Sequence, residues 1–328
     1  MLDPSAGPED KGAVEVPSRP SSKWLDEQIA QARTWGVLDK GIIRVVDYMG
    51  NDDAIVRSAR VSYGKGTKTA LEDAALIAYL YYNTHTSPFE MCELVLLMKM
   101  PIFVARQWIR HRTASVNEYS LRYSEAKDDF YIPDVEVIRK QSKTNKQGRD
   151  EPVDEAVANR FREWTKSASE RAMSDYRMML DAGVARELAR INLPLNLYTE
   201  WYWKQDLKNL LDLLRLRCDP HAQWEIRQYA DVIRFIVANW VPAVYKAWEN
   251  TFMGARLTHS QLGLLYHVLM DGNYVKMSGD IDRTLRPADL GKALYQAGSG
   301  DVGKHLSLSK RDVDHLIHAL QLPKPEAA

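Results

Sequence analysis

The run Arg110-His111-Arg112-Thr113-Ala114-Ser115-Val116-Asn117-Glu118-Tyr119-Ser120-Leu121-Arg122-Tyr123 crowds three arginines, a histidine, a glutamate and two serines into a stretch too polar for a core. That density asks for an anionic partner. A guanidinium presents five donors in a rigid fork suited to phosphate or carboxylate, and each charge-assisted hydrogen bond contributes roughly 1.5–3 kcal/mol net. A solvated basic face is the ordinary fate of such a run. The rest of the chain argues for a local site instead. Its 328 residues balance 44 Lys and Arg against 44 Asp and Glu, so no global field draws in nucleic acid or a membrane surface.

The elements that must position these groups can be read on either side of the run. Ile42 to Asp47 has the pattern of a short strand, Leu71 to Asn83 has helical spacing ending near His85, and Met91 to Met100 reads as a buried strand. Pro101 suits the first turn of a helix, where its missing donor costs nothing, and that helix is expected to run through Arg112. Gln107, Arg110 and His111 would then share one face at spacings of three and four. Beyond the helix the run is expected to continue as a loop. Arg139 to Pro152 has almost no apolar content and reads as a solvent-exposed insertion, an unlikely home for chemistry.

Farther on, Val153 to Leu180 is helical in period with Gly183 as terminator, and the aromatic-rich Leu195 to Trp203 reads as a strand. Trp201, Trp203 and Trp240 are expected as core or interface anchors rather than as cofactor-stacking groups. Leucines dominate Leu207 to Leu216. Asp219-Pro220 suggests an N-cap opening a helix toward Trp240, which leaves Arg217 at the junction of two helices. Segregated helices with a few non-adjacent strands argue for an α+β fold. Residues 1–22 read as a disordered tail, 23–253 as one folded domain and 254–328 as a small helical C-terminal extension of unassigned role. Within that extension, Pro287 to Ala297 and Ser309 to Leu322 are helical, the second opened by a Ser309-x-x-Asp312 capping box.

No metal site is expected: His315-x-x-His318 beside Asp314 offers two histidines and no third ligand. The two cysteines, Cys92 and Cys218, have neither metal nor redox spacing and suit a reducing compartment. No apolar run approaches the roughly 18 residues of a membrane span, and the chain's start has no signal-peptide core. The simplest expectation is a cytoplasmic protein.

Written as RHRxxSxNExSxRY, the Arg110–Tyr123 run resembles the signature of the flavin-dependent thymidylate synthases at all its fixed positions. Coincidence at that length is on the order of 1 in 10¹¹ to 10¹² per start site. Ala59-Arg60-Val61-Ser62-Tyr63, His85-Thr86-Ser87-Pro88-Phe89-Glu90, Pro101 to Trp108, Leu193 to Thr199 and His221-Ala222-Gln223-Trp224-Glu225-Ile226 resemble further blocks of that family in its order. The resemblance implies helices around a central antiparallel sheet. The implied reaction is methylation of dUMP to dTMP, with methylenetetrahydrofolate as carbon donor, NADPH as reductant and FAD as hydride carrier. It also implies a homotetramer whose sites are shared between chains.

By the same resemblance, Gln107, Arg110, Glu118, Ser120, Leu121, Arg122, Arg190 and Arg217 line the dUMP site. His85, Ser87, Arg110, His111, Arg112 and Glu118 fall on the FAD side. Arg217 matches the family arginine thought to stabilise deprotonated uracil, and is the implied catalytic residue: a fixed cation beside the imide nitrogen lowers its pKa. The flavin-contacting helix departs from the family pattern. Asp206, Lys208 and Asp212 stand where the family carries an Asn-x-Arg pair and a later Asn. Lysine keeps the charge but loses the fork, and an aspartate near phosphates repels them unless it faces adenine or ribose. Neither cysteine lies in the local motif of a classical thymidylate synthase, which removes the covalent-thiol route. Two alternative readings are a nucleotide-binding flavoprotein that oxidises NADPH without methyl transfer, and an RNA-binding module built on the Arg110–Arg122 segment.

Overall fold

The computed structural model describes residues 19–61, 70–143, 147–252, 259–271, 287–299, 310–320 and 322. The chain divides into two compact units, Met1–Ala247 and Trp248–Ala328. The first is α+β. Strands β1 (Thr34–Val37), β2 (Gly41–Met49), β3 (Glu93–Pro101), β4 (Ser115–Glu118) and β7 (Tyr198–Asp206) form an antiparallel five-stranded sheet in the order β1-β2-β3-β7-β4. A separate hairpin pairs β5 (Arg139–Gln141) with β6 (Arg149–Pro152).

The sheet is held by what its central strands bury. Alternate residues Leu94, Leu96, Met98 and Met100 of β3 are enclosed, and Leu96 and Met98 pair in register with Trp203 and Trp201 of β7. Both tryptophans are fully buried, as is Trp240, so the expected core role holds. Helix α8 (Trp224–Trp240) adds Ile226, Tyr229, Ala230, Ile233, Ile236 and Val237, all at 0% exposure. The larger of these contribute roughly 1.5–3 kcal/mol apiece, far more than helix propensity offers. Tyr229 passes so close to Gly41 that a Cβ there would fall 2.0 Å from its hydroxyl. Only glycine fits, and the freed hydroxyl donates to the Lys99 carbonyl at 2.8 Å.

Most expected elements form, with three differences. Helix α4 (Ile102–Trp108) stops before the arginine run, with Pro101 as its N-cap. The amides of Arg110 and His111 turn instead to the carbonyls of Gln107 and Trp108, three residues back, which tightens the chain out of the helix. Ser115–Glu118, expected as loop, is a strand. Its four exposed residues carry no apolar alternation, and the pairing comes from β7. Helix α8 begins at Trp224 with Gln223 at its N-cap, whereas Asp219 bonds the amide of His221 and holds a preceding turn. Helix α7 (Leu207–Arg217) does end at Arg217 as expected. The β1 strand had no clear sequence signal, being four residues of mixed burial.

Helix α5 (Glu155–Asp181) is followed by Gly183 at φ +82°, a left-handed terminator. Of the N-terminal tail, residues 1–18 lie outside the described part; Ser22 caps α1 (Lys23–Ala30) and Arg19 donates to the Tyr48 carbonyl at 2.7 Å. In the second unit, helices α10 (His259–Asp271), α11 (Pro287–Ser299) and α12 (Lys310–Ala319) bury Leu264, Val268, Leu294, Val313, Leu316 and Ile317 in a core of their own. Ser309 of the expected capping box, and the side chains of His315 and His318, lie outside the described residues. Among the described residues, no group of side chains could hold a metal ion and no helix is long and apolar enough to cross a membrane.

Candidate active site

The expected site residues on α4, α7, β4 and the turn after it fall into two separate groups. The first gathers where α4 ends against the end of α7 and the start of α8. Arg217 donates from Nε to His111 Nε2 at 2.9 Å and from a terminal nitrogen to the Gln107 carbonyl at 3.3 Å. Accepting at Nε2 requires a neutral imidazole with its proton on Nδ1. Burial, and then the positive charge of Arg217, push the His111 pKa down to about 4 against a weaker upward pull from Asp212. Burial also lowers the Arg217 pKa from its ordinary value, but a guanidinium remains charged at neutral pH. The result is a fixed, partly desolvated cation held by two acceptors, with donors to spare.

Gln107 is braced from the other side. Its Nε2 donates to Gln223 Oε1, and Gln223 Nε2 donates to Glu225 Oε2 at 2.8 Å. Glu225 is buried at 3% side-chain exposure and takes a charged partner, Arg149 of β6, one terminal nitrogen of which reaches both carboxylate oxygens, Oε1 at 2.6 Å and Oε2 at 2.5 Å. The hairpin set aside as an unlikely home for chemistry therefore reaches this cluster through one arginine. It is exposed along both strands, as expected.

The second cluster is a cavity of about 290 Å³ whose wall includes Glu118, Ser120, Leu121 and Arg190. Strand pairing fixes Glu118 opposite Trp201, and its carboxylate accepts from the Thr199 hydroxyl at 2.6 Å. Leu121 packs against the buried group of Phe130, Met173, Tyr176, Ala189 and Leu197. That contact anchors the turn carrying Ser120. Lys99, Lys127, Asp129 and Tyr198 share the wall and were not among the expected site residues. Lys99 is the one cation in a largely apolar strand, and its pairing to Asp129 at 2.7 Å spans thirty residues. That bond, the largest cause, holds the Asp129 carboxyl below the usual range.

Arg122 lies beside this cavity but is engaged with Glu187 at 3.2 Å, both side chains more than half exposed. Among the described residues, no hydrogen bond or ion pair engages the side chains of Arg110, Arg112 or Arg190, and the first two are exposed. None of Gln107, Arg110, His111 and Arg217 belongs to the wall of the Ser120 cavity.

The residues expected to meet a flavin are less uniform. Ser87 opens the short 3-10 helix Ser87–Met91 and is exposed, as is His85, whose ring meets Tyr79 edge to face at 5.8 Å. Ser87, Arg110 and Arg112 are exposed donors of the kind that suit a pyrophosphate. Asp206 caps α7, both oxygens accepting from Asn209 at 2.9 and 2.7 Å. Lys208 and Asp212 pair with each other at 3.3 Å. These three already have partners along their own helix. Neither thiol is poised as a nucleophile: burial pushes Cys92 and Cys218 up to about 12.

Residues 44–243 match the family model described as thymidylate synthase complementing protein. The flavin-dependent thymidylate synthase of Anaplasma marginale (strain St. Maries) is 52% identical over 241 residues, covering 74% of this chain and 83% of that protein. That of Ruegeria pomeroyi is 55% identical over 227 residues, covering 68% and 75%. Among solved structures, the UMP/dUMP methylase PolB from Streptomyces cacaoi bound with 5-Br dUMP superposes at a TM-score of 0.60 with 30% identity, over 65% of this chain and 97% of that one. Its complex with 5-Br UMP gives 0.59 and 32%.

Proposed function

The chain belongs to the flavin-dependent thymidylate synthase family, and we propose that it converts dUMP to dTMP with methylenetetrahydrofolate as carbon donor and NADPH as reductant. The observation that carries this reading is the Arg217–His111–Gln107 cluster: a guanidinium fixed by neutral acceptors beside an amide that can read a nucleobase. Uracil must become nucleophilic at the carbon that takes the new methyl group. A preorganised cation next to the imide stabilises the negative charge that develops there, and no reorganisation is needed as the charge appears. Protonated His111 would set a second cation against Arg217; its lowered pKa keeps it an acceptor.

Ser120, Arg190, the backbone around Leu121 and Arg122 form a cradle for the nucleotide phosphate. Each charge-assisted hydrogen bond there contributes roughly 1.5–3 kcal/mol. Arg122 joins by leaving Glu187, a cheap exchange because an exposed pair is worth about 0–1 kcal/mol. Arg110, Arg112 and Ser87 are the groups that fit a flavin pyrophosphate, with His85 near the ring. Bound there, FAD would supply hydride chemistry that no side chain of this protein can perform. Asp206, Lys208 and Asp212 contribute to flavin binding through the outward edges of a helix whose polar groups already satisfy one another.

The cradle and the Arg217 cluster are separate surfaces of one chain. A second copy placing its cradle against this chain's Arg217 cluster would complete the site, in keeping with a homotetramer. Balanced net charge and the family's identity leave no support for the RNA-binding alternative. The test is dTMP formation by the flavin-loaded protein given dUMP, methylenetetrahydrofolate and NADPH, read by mass spectrometry together with molecular mass by light scattering. NADPH oxidation that dUMP stimulates without any dTMP would favour the flavoprotein alternative.

A further inference from the structure

We infer that Arg149, on the exposed hairpin, is a positioning residue for nucleotide binding, acting through Glu225 and Gln223 on the side-chain amide of Gln107. The inference rests on the nucleotide role proposed for Gln107. It goes beyond that role in assigning the hairpin a part in the reaction.

An isolated glutamine amide can present its carbonyl or its NH2 to a ligand with nearly equal ease. The two faces recognise opposite hydrogen-bonding patterns on a base. Here the direction is dictated from one end. A carboxylate can only accept, so Glu225 takes Gln223 by its NH2 at 2.8 Å. Gln223 must then offer Oε1 to its other neighbour, and that neighbour, Gln107, must answer with Nε2. Gln107 is left with its carbonyl oxygen and one remaining N–H for a ligand, in a fixed order. The whole direction therefore rests on the almost completely buried Glu225 carboxylate being held in place.

That is what Arg149 supplies. One terminal nitrogen reaches Glu225, with Oε1 at 2.6 Å, and the other donates to the Val137 carbonyl at 2.9 Å, so the guanidinium is itself held at two points. The Tyr131 hydroxyl gives a longer contact to Glu225 at 3.4 Å. Without the arginine, the buried carboxylate loses its counter-charge and the hydrogen bonds that hold it against Gln223. A carboxylate free to turn away from Gln223 no longer dictates which way that amide faces. Arg149 and Gln223 also share the wall of a cleft of about 650 Å³ between the hairpin and the Pro220–Trp224 segment. The relay is therefore open to the cleft at Arg149 and Gln223 and enclosed at Glu225.

The test is steady-state dTMP formation by the full-length, flavin-loaded protein, with KM for dUMP and kcat measured separately for Arg149→Ala, Arg149→Lys, Glu225→Gln, Gln107→Ala and the Gln107→Ala/Arg149→Ala double variant. Arg149→Ala is expected to raise KM for dUMP by about tenfold, the equivalent of one hydrogen bond, with kcat within about twofold. Lysine at 149 restores the charge and most of the affinity. Glu225→Gln leaves no unpaired buried carboxylate, so it folds even if Arg149→Ala does not, and it should reproduce the KM effect. In the Gln107→Ala background, Arg149→Ala should add nothing. The inference is overturned if Gln107→Ala raises KM while Arg149→Ala and Glu225→Gln do not, or if the Arg149 effect persists undiminished without Gln107. An unchanged KM in Gln107→Ala instead defeats the nucleotide role of Gln107 itself, and the inference with it.

Discussion

Arg217 and Arg190 carry the same charge on the same stem, yet Arg217 is fixed by His111 and the Gln107 carbonyl, whereas Arg190 faces a cavity with no side-chain partner among the described residues. The contrast extends to their surroundings. On one side a chain of hydrogen bonds runs from Gln107 to a buried glutamate; on the other an arginine is occupied by an exposed, exchangeable ion pair. A group that must stabilise charge in the transition state gains from being fixed beforehand, because its orientation then costs nothing during reaction. A group that only grips a phosphate can be ordered by the phosphate when it arrives.

The difference predicts a split in kinetics. Arg217→Ala should lower kcat by about 10²–10³, the usual loss on removing one preorganised charge-stabilising donor, with a smaller change in KM for dUMP. Arg190→Ala should do the reverse, raising KM by about 10- to 100-fold for the lost charge-assisted bond and sparing kcat. Equal losses of kcat in both variants would erase the distinction between the two sides.

A pH experiment sharpens it next. Because the folded protein holds His111 at about 4 rather than its ordinary 6.5, the unfolded chain binds more protons in that interval. The histidine's contribution to stability is complete above about 6.5 and is lost as pH falls toward 4. Urea midpoints measured at pH 7 and pH 5 should therefore differ less in His111→Gln than in the parent protein. The smallest effect belongs to Glu187→Gln, which releases Arg122 from an exposed pair worth about 0–1 kcal/mol. It should lower KM for dUMP by no more than about fivefold, and an increase would mean that the pair helps shape the cradle.

What the sequence made legible followed physical signal strength. Buried, regular segments declared themselves: β3, β7 and α5 stand within a few residues of their expected places because period and apolar content carry them. The grouping of Ser120 with Arg190 came through resemblance to a family, since no local rule links residues seventy positions apart. Three features were hidden for identifiable reasons. The early end of α4 depends on two tightened turns that Arg110 and His111 would equally allow to be helical. Strand β4 owes its existence to β7, and its own residues favour nothing. Arg149 lies in a segment with the composition of a solvated loop, and only the fold reveals that its end meets a carboxylate buried 76 residues away.

The most direct test of the account is anaerobic incubation of the purified protein with FAD, NADPH, dUMP and methylenetetrahydrofolate. Each component is omitted in turn, the set is repeated with Arg217→Ala, and dTMP is quantified by mass spectrometry. dTMP should form only when all four are present and should be almost completely lost in the variant. A correctly assembled, flavin-loaded protein that forms no dTMP, or an Arg217→Ala variant that forms it at the parent rate, would contradict the account.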